Sequence, residues 1–157
     1  MDRALSDRIA LDDLLTAYAV AIDSTAVDEL AGLATDDAVF DYTSSGGPRG
    51  PVAEVQEWLA KALAFVPSRQ HLIVNRVFRV APDGAADADA DTAGVAAYFF
   101  NPMSVRVPGP DGATLWNPGG GHYDVTFRRT PDGWRISELV MRETWRVAVP
   151  VQESGRH

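Results

Sequence analysis

One imidazole sits inside what otherwise reads as a buried strand, Arg69-Gln70-His71-Leu72-Ile73-Val74-Asn75-Arg76-Val77-Phe78. Side chains on a strand alternate between faces, so His71 shares a face with Ile73, Asn75 and Val77, while Leu72, Val74 and Phe78 point the other way. A titratable ring and an amide among branched apolar side chains describe a lined cavity better than a dry core. Imidazole titrates near neutrality, so with a carboxylate partner His71 can transfer protons; without one it is a hydrogen-bonded structural residue. Trp58, Tyr98, Phe100 and Trp116 are candidates for the walls of an aromatic cavity, each equally credible as packing. On the last apolar stretch Arg142 alternates with Val140 and Thr144, opposite in phase to Met141 and Glu143. Facing inward it would bind an anionic oxygen or a leaving group; facing outward it is a solvated or salt-bridged side chain.

The elements that must position these residues fall into two blocks. Ser6 and Asp7 offer capping oxygens for a helix to about residue 22, whose Ile9, Leu14, Leu15, Tyr18 and Ile22 form one buried face. A shorter helix over residues 27–33 turns Leu30 and Leu33 inward. Residues 39–43 read as a short strand, residues 44–51 as a loop, and Pro51 suits the first turn of a third helix carrying Val55, Trp58, Leu59, Ala62, Leu63 and Val66. Four strands follow, at about 69–80, 92–107, 121–129 and 134–147. Pro82-Asp83-Gly84, Pro108-Gly109-Pro110-Asp111-Gly112 and Pro131-Asp132-Gly133 supply the turns between them. Helices first and antiparallel strands after make an α+β domain, in which a curved sheet over helices leaves a conical pocket. One domain over residues 1–147 and a loosely ordered tail, 148–157, are expected.

Composition removes whole classes of function. The chain has 157 residues, enough for one domain with a real core. Lys and Arg total 14 against 22 Asp and Glu, a formal net charge of −8, so a nucleic-acid partner and an anionic membrane surface are both disfavoured. With no cysteine there is no disulfide, thiolate metal site or thiol nucleophile. The polar start, Met1-Asp2-Arg3-Ala4-Leu5-Ser6-Asp7, is no secretory leader, and no apolar run reaches membrane-spanning length, so a cytoplasmic location is expected. Two tempting motifs fail. Asp87-Ala88-Asp89-Ala90-Asp91 starts like a calcium loop, but the required glycine falls on Thr92 and the bidentate Glu on Tyr98. Gly119-Gly120-Gly121 lacks the lysine of a phosphate loop and precedes a strand, whose start it bends.

Three stretches together resemble the SnoaL-like branch of the nuclear transport factor 2-like superfamily. They are Tyr18-Ala19-Val20-Ala21-Ile22-Asp23 ending the first helix, Gln70-His71-Leu72-Ile73-Val74-Asn75 after the third, and the hairpin Gly120-Gly121-His122-Tyr123-Asp124-Val125-Thr126-Phe127 through Ile136. The likeness spans about residues 5 to 147. It implies three N-terminal helices packed on a curved, mixed or antiparallel sheet around a pocket. In lyase-type members, such as scytalone dehydratase, bile acid dehydratases and hexachlorocyclohexane dehydrochlorinase, an Asp after the first helix pairs with a His on this strand. Asp23 and His71 match those positions. By that resemblance His71 is a general base and Asp23 fixes its tautomer and stabilises the imidazolium. Ser24 and Thr25 can cap the second helix equally well, leaving Asp23 to turn inward. Tyr18 matches a tyrosine that polarises substrate oxygen in dehydratase members, or else is core.

The expected function is therefore a cofactor-independent lyase of dehydratase type, acting on a small, largely apolar cyclic substrate. The same dyad could serve an isomerase or polyketide cyclase, and the superfamily also uses this fold for non-catalytic ligand binding and assembly. An epoxide hydrolase of this superfamily would use an Asp-Arg-Asp set and leave His71 idle. His122 could complete a two-His, one-carboxylate metal set with His71 and Asp23, but it alternates with Tyr123 and Asp124 and only one phase faces inward; no metal is expected. Val95-Ala96-Ala97-Tyr98-Phe99-Phe100 is apolar on both phases. Three helices cover one sheet face only, so the other is expected to meet further copies of the chain, in a homodimer or homotrimer.

Overall fold

The computed structural model describes residues 3–79, 91–108 and 112–151. Its first helix, α1 (Arg3–Asp23), buries Leu11, Leu15, Tyr18, Ala21 and Ile22 along one stripe. The helix is already formed at Arg3, so Asp7 lies within it and does not cap it. The Asp7 carboxylate instead crosses to the far hairpin, accepting hydrogen bonds from Trp134 Nε1 at 3.0 Å and Arg129 Nη2 at 2.6 Å. That rotation of the buried stripe leaves Ile9 outside it, 46% exposed. A 3-10 turn (Val27–Glu29) runs into the short α2 (Leu30–Leu33), where Leu30 is fully buried. Strand β1 (Ala34–Asp41) forms a hairpin with β2 (Arg49–Pro51), placing Pro51 at the N-cap of α3 (Val52–Leu63). Helix α3 turns Val52, Val55, Leu59 and Leu63 into the core, at helical spacing.

The remaining strands are β3 (Ser68–Arg69), β4 (Leu72–Arg79), β5 (Thr92–Asn101), β6 (Met103–Arg106), β7 (Thr114–Trp116), β8 (Gly119–Thr130), β9 (Gly133–Arg146) and β10 (Val149–Pro150). Of the ten strands described, six make one sheet in the order β2-β1-β9-β8-β5-β4, antiparallel except where β1 runs parallel to β9. The other four form a small sheet, β10-β7-β6-β3. The result is an α+β architecture of three helices and a mixed sheet, whose buried face lies under α1 and α3.

Local features depart from simple alternation, and those at Pro102, Asn75 and Thr144 bear on the site. Pro102 has no amide hydrogen for a ladder and divides the expected strand 92–107 into β5 and β6, which join different sheets. Asn75 takes a left-handed conformation, φ +50°, where the β4–β5 register slips between Val74 and Val77. Beyond that bulge the phase inverts, so Val77 is exposed and Phe78 packs toward the core, and Asn75 does not share the buried face of Ile73. On β9 a second slip opposes Gly121 to Glu143 and Gly120 to Trp145, leaving Thr144 as the extra residue. A Cβ on Gly121 would sit 2.0 Å from the Arg142 carbonyl, so only glycine fits there. The turn Pro131-Asp132 is as expected, with Gly133 at φ +105°. Residues 80–90, 109–111 and 152–157 lie outside the described residues, so the turns at 82–84 and 108–112, most of the calcium-like run and the end of the tail are not placed. Val149 and Pro150 pair with β7. Among the described residues no helix is long and apolar enough to cross a membrane.

Candidate active site

Helix α1 ends at Asp23, and the break between β3 and β4 presents His71 to it. Asp23 Oδ1 lies 2.6 Å from His71 Nδ1, and Asp23 Oδ2 accepts the His71 backbone amide at 2.8 Å. One carboxylate therefore holds both the ring and the main chain of the same residue. The His71 side chain is only 9% exposed. With Nδ1 committed to Asp23, Nε2 is the ring nitrogen that remains for a ligand.

His71 lines a cavity of about 220 Å³, whose wall includes Ile22 of α1, Trp58, Leu59, Ala62 and Leu63 of α3, and Met141 of β9. Polar groups enter at a few points only: His71, Tyr42, Ser45, Asn101, Asn117 and Arg146. An open cleft of about 690 Å³ adjoins it, sharing Leu63 and Val66, and Asp23, Gln70, Arg106 and Trp116 line that cleft. The Asp–His contact thus stands between a narrow apolar cavity and a wide polar cleft.

Behind the cavity lies a knot of buried phenols. The Tyr18 hydroxyl bonds to that of Tyr42 and lies 3.4 Å from that of Tyr123. Burial pushes the Tyr18 and Tyr42 hydroxyls well above the usual tyrosine range and Tyr123 up to about 12. All three are neutral at ordinary pH, so Tyr42, the one on the cavity wall, is a hydrogen-bond donor and no base. Tyr18 is fully buried one layer back and does not border the cavity.

The expected wall is only partly the observed one. Trp58 lines the cavity, its ring 5.5 Å from that of Tyr42. Trp116 borders the neighbouring cleft instead. Tyr98 and Phe100 sit on the outer face, 50% and 40% exposed, because Ala97, Phe99 and Asn101 take the inward phase of β5. Tyr98 packs there against the His122 ring at 4.8 Å, far in role from any His71 partnership, and Phe100 stacks on Trp145 at 5.9 Å. Arg142 is also outside, paired with Asp124 at 3.0 Å. The arginine in the cavity is Arg146. The slip at Thr144 reverses the phase, so Met141, Glu143 and Arg146 turn one way and Arg142 and Trp145 the other. Arg146 is held by both Glu143 oxygens and by Asn117 Oδ1 at 2.9 Å. Asn101, Tyr42, Asn117 and Arg146 were not among the residues singled out by spacing. The paired glycines opposite β9 are the one sequence signal that could have exposed the phase change. Among the described residues no group of three metal-ligating side chains comes together.

The family model for the SnoaL-like domain matches residues 3–140, and the chain belongs to that family, with its nuclear transport factor 2-like fold. An uncharacterized protein of Mycobacterium tuberculosis is 37% identical over 136 residues, 87% of this chain and 84% of the relative. Among solved structures, a candidate aromatic ring hydroxylase of Novosphingobium aromaticivorans is 26% identical, with TM-score 0.72 over 92% of this chain and 94% of that one. A candidate scytalone dehydratase of the same organism is 17% identical, with TM-score 0.73 over 98% and 96%. The hexachlorocyclohexane dehydrochlorinase of Novosphingobium barchaimii is 17% identical, with TM-score 0.71 over 98% and 94%.

Proposed function

We propose that this member of the SnoaL-like family is a cofactor-independent lyase of dehydratase type, in which His71 is the general base and Asp23 its orienting partner. The observation that carries the reading is the double contact of Asp23 with His71 ring and backbone, at the wall of a small apolar cavity. A neutral imidazole divides its basicity between two tautomers; one whose Nδ1–H is fixed on a carboxylate keeps Nε2 as the basic nitrogen. In the forward step Nε2 takes a proton from a substrate carbon, the C–H electrons form the new double bond, and the leaving group departs from the adjacent carbon. The imidazolium, stabilised by Asp23, then gives its proton to a departing hydroxyl, and water leaves. Tyr42, backed by Tyr18, donates a hydrogen bond to a substrate oxygen, and Arg146 supplies positive charge where negative charge develops. Cavity volume supports a ligand of one or two rings, below the usual 300–1,000 Å³ of drug-sized sites.

Names of two structural neighbours, a dehydratase and a dehydrochlorinase, agree with elimination. The test is turnover of the purified chain and of His71→Ala on hydroxylated and halogenated cyclic substrates, with products identified by mass. Full retention of turnover by folded His71→Ala ends the dyad mechanism. Product mass separates loss of water or acid from an isomer or cyclised product, and an added oxygen would instead indicate the ring hydroxylation named for the 26% identical neighbour.

We further propose a homodimer or homotrimer built through the outer sheet face. Leu72, Val74, Tyr98, Phe100 and Trp145 stand exposed there, a contiguous apolar stripe that none of the described helices covers.

A further inference from the structure

We propose that Asn101 is the specificity-determining residue of the cavity, accepting a hydrogen bond from a hydroxyl on the substrate ring. The inference deepens the lyase reading, resting on the same cavity, and names its substrate class: hydroxylated rings over rings whose substituents are halogen or carbon only.

Asn101 ends β5 on its inward phase, is 1% exposed, and borders the cavity. Its side chain lies beside the Tyr123 hydroxyl and works against the rise that burial gives that phenol's pKa. Its carbonyl oxygen, Oδ1, is completely buried and has no hydrogen-bond partner. A buried acceptor left unpaired is costly, and folded proteins rarely keep one without a use. The other polar groups on the wall each have a partner within the protein. Ser45 Oγ is bonded to the Tyr42 carbonyl, Arg146 to Glu143 and Asn117, Tyr42 to Tyr18, and His71 to Asp23. Beside His71 Nε2, the base of the proposed reaction, Oδ1 is the unmatched acceptor on the wall, and its complement is an O–H or N–H donor inside an otherwise apolar ligand. A halogen or a methyl group offers no such donor and would leave Oδ1 unpaired in the complex as well.

The test measures binding to the full chain, without turnover, using 2-naphthol and 2-methylnaphthalene, which have nearly the same shape, and 2-acetylnaphthalene, which only accepts. Quenching of Trp58, on the cavity wall, reports occupancy. The native chain should bind 2-naphthol at least about tenfold more tightly than 2-methylnaphthalene, against their order of hydrophobicity. Asn101→Leu should erase that preference and leave 2-methylnaphthalene binding the same or tighter. If the leucine does not fold, Asn101→Ser, too short to reach the same ligand group, should reduce the preference in the same direction. Equal binding of the two probes by the native chain, a preference retained in the variants, or stronger binding of 2-acetylnaphthalene each overturns the assignment to Asn101. Absence of binding by all three overturns it together with the cavity as substrate site. Loss of the His71 effect on turnover with the naphthol preference intact would instead remove the lyase reading alone.

Discussion

The two faces of the six-stranded sheet are built from the same kinds of residue and serve opposite ends. On the inner face Ile73, Phe99, Tyr123 and Met141 are buried against α1 and α3, and the few polar groups among them converge on one cavity. On the outer face Leu72, Tyr98, Phe100 and Trp145 are 40–50% exposed, and the polar groups pair with each other, Arg142 with Asp124. Aromatic or basic identity does not say which face a residue serves. Register does, and register is set by the bulges at Asn75 and Thr144 and by Pro102.

The largest expected effect lies inside. His71→Ala should lower turnover about 10²–10⁴-fold while the fold and the oligomer persist, and Asp23→Asn should follow with a smaller loss. Steady-state rates beside a circular dichroism spectrum check both. A comparable loss from Arg142→Ala, on the outer face, would break the division between the faces.

Next comes the strut at the far end of α1. Asp7→Ala removes two charge-assisted hydrogen bonds but leaves Arg129 its contact with Asp91, so stability should fall by about 2–3 kcal/mol, read from denaturant midpoints. Burial raises the Asp7 carboxyl, but the Arg129 guanidinium and the Trp134 indole outweigh it and hold the group below the usual 3.8. A carboxyl with a lower pKa in the folded chain contributes stability above its unfolded pKa and loses it as pH falls through the folded value. Native stability should therefore decline below about pH 4, and Asp7→Asn should flatten that decline; an unchanged slope would take the strut out of the account.

The outer face is tested by assembly. Light scattering at micromolar concentration should give a multiple of 16.9 kDa, and Tyr98→Ser with Phe100→Ser should return the single-chain mass with turnover unchanged. A native mass near 16.9 kDa removes the oligomer, and turnover lost along with it would mean that the faces are coupled. The smallest effect is at the Asn75 bulge, where Asn75→Ala should cost about 1–2 kcal/mol for the left-handed conformation and Asn75→Gly should cost less. Equal losses would show that the side chain, and not the backbone, sets the register there.

Much of the architecture was readable from periodicity, including α3, the strand block after it and the turn before Gly133. At the proposed site His71 stood out by its place in an apolar strand, Asp23 by the family resemblance, and Trp58 by helical spacing. It failed where the period-two rule fails. Counting in twos from Met141 places Arg146 outside and counting from Val140 places Arg142 in doubt; only the extra residue at Thr144 decides between them. Asn101 was hidden differently, as a single amide closing an apolar phase whose opposite phase, Tyr98 and Phe100, carried the more conspicuous rings. Trp116 and Tyr18 fell near the site, one on the adjoining cleft and one behind Tyr42.

The Thr144 slip has a meaning for comparing relatives. A family member without that extra residue would present to its cavity the side chain two places after the counterpart of Glu143, where this chain presents the one three places after. An alignment without a gap there would match Arg146 with a residue on the wrong side of the sheet. The gain or loss of one codon at this point thus changes the numbering of the strand and leaves Arg146 on the cavity side and Trp145 on the outer face.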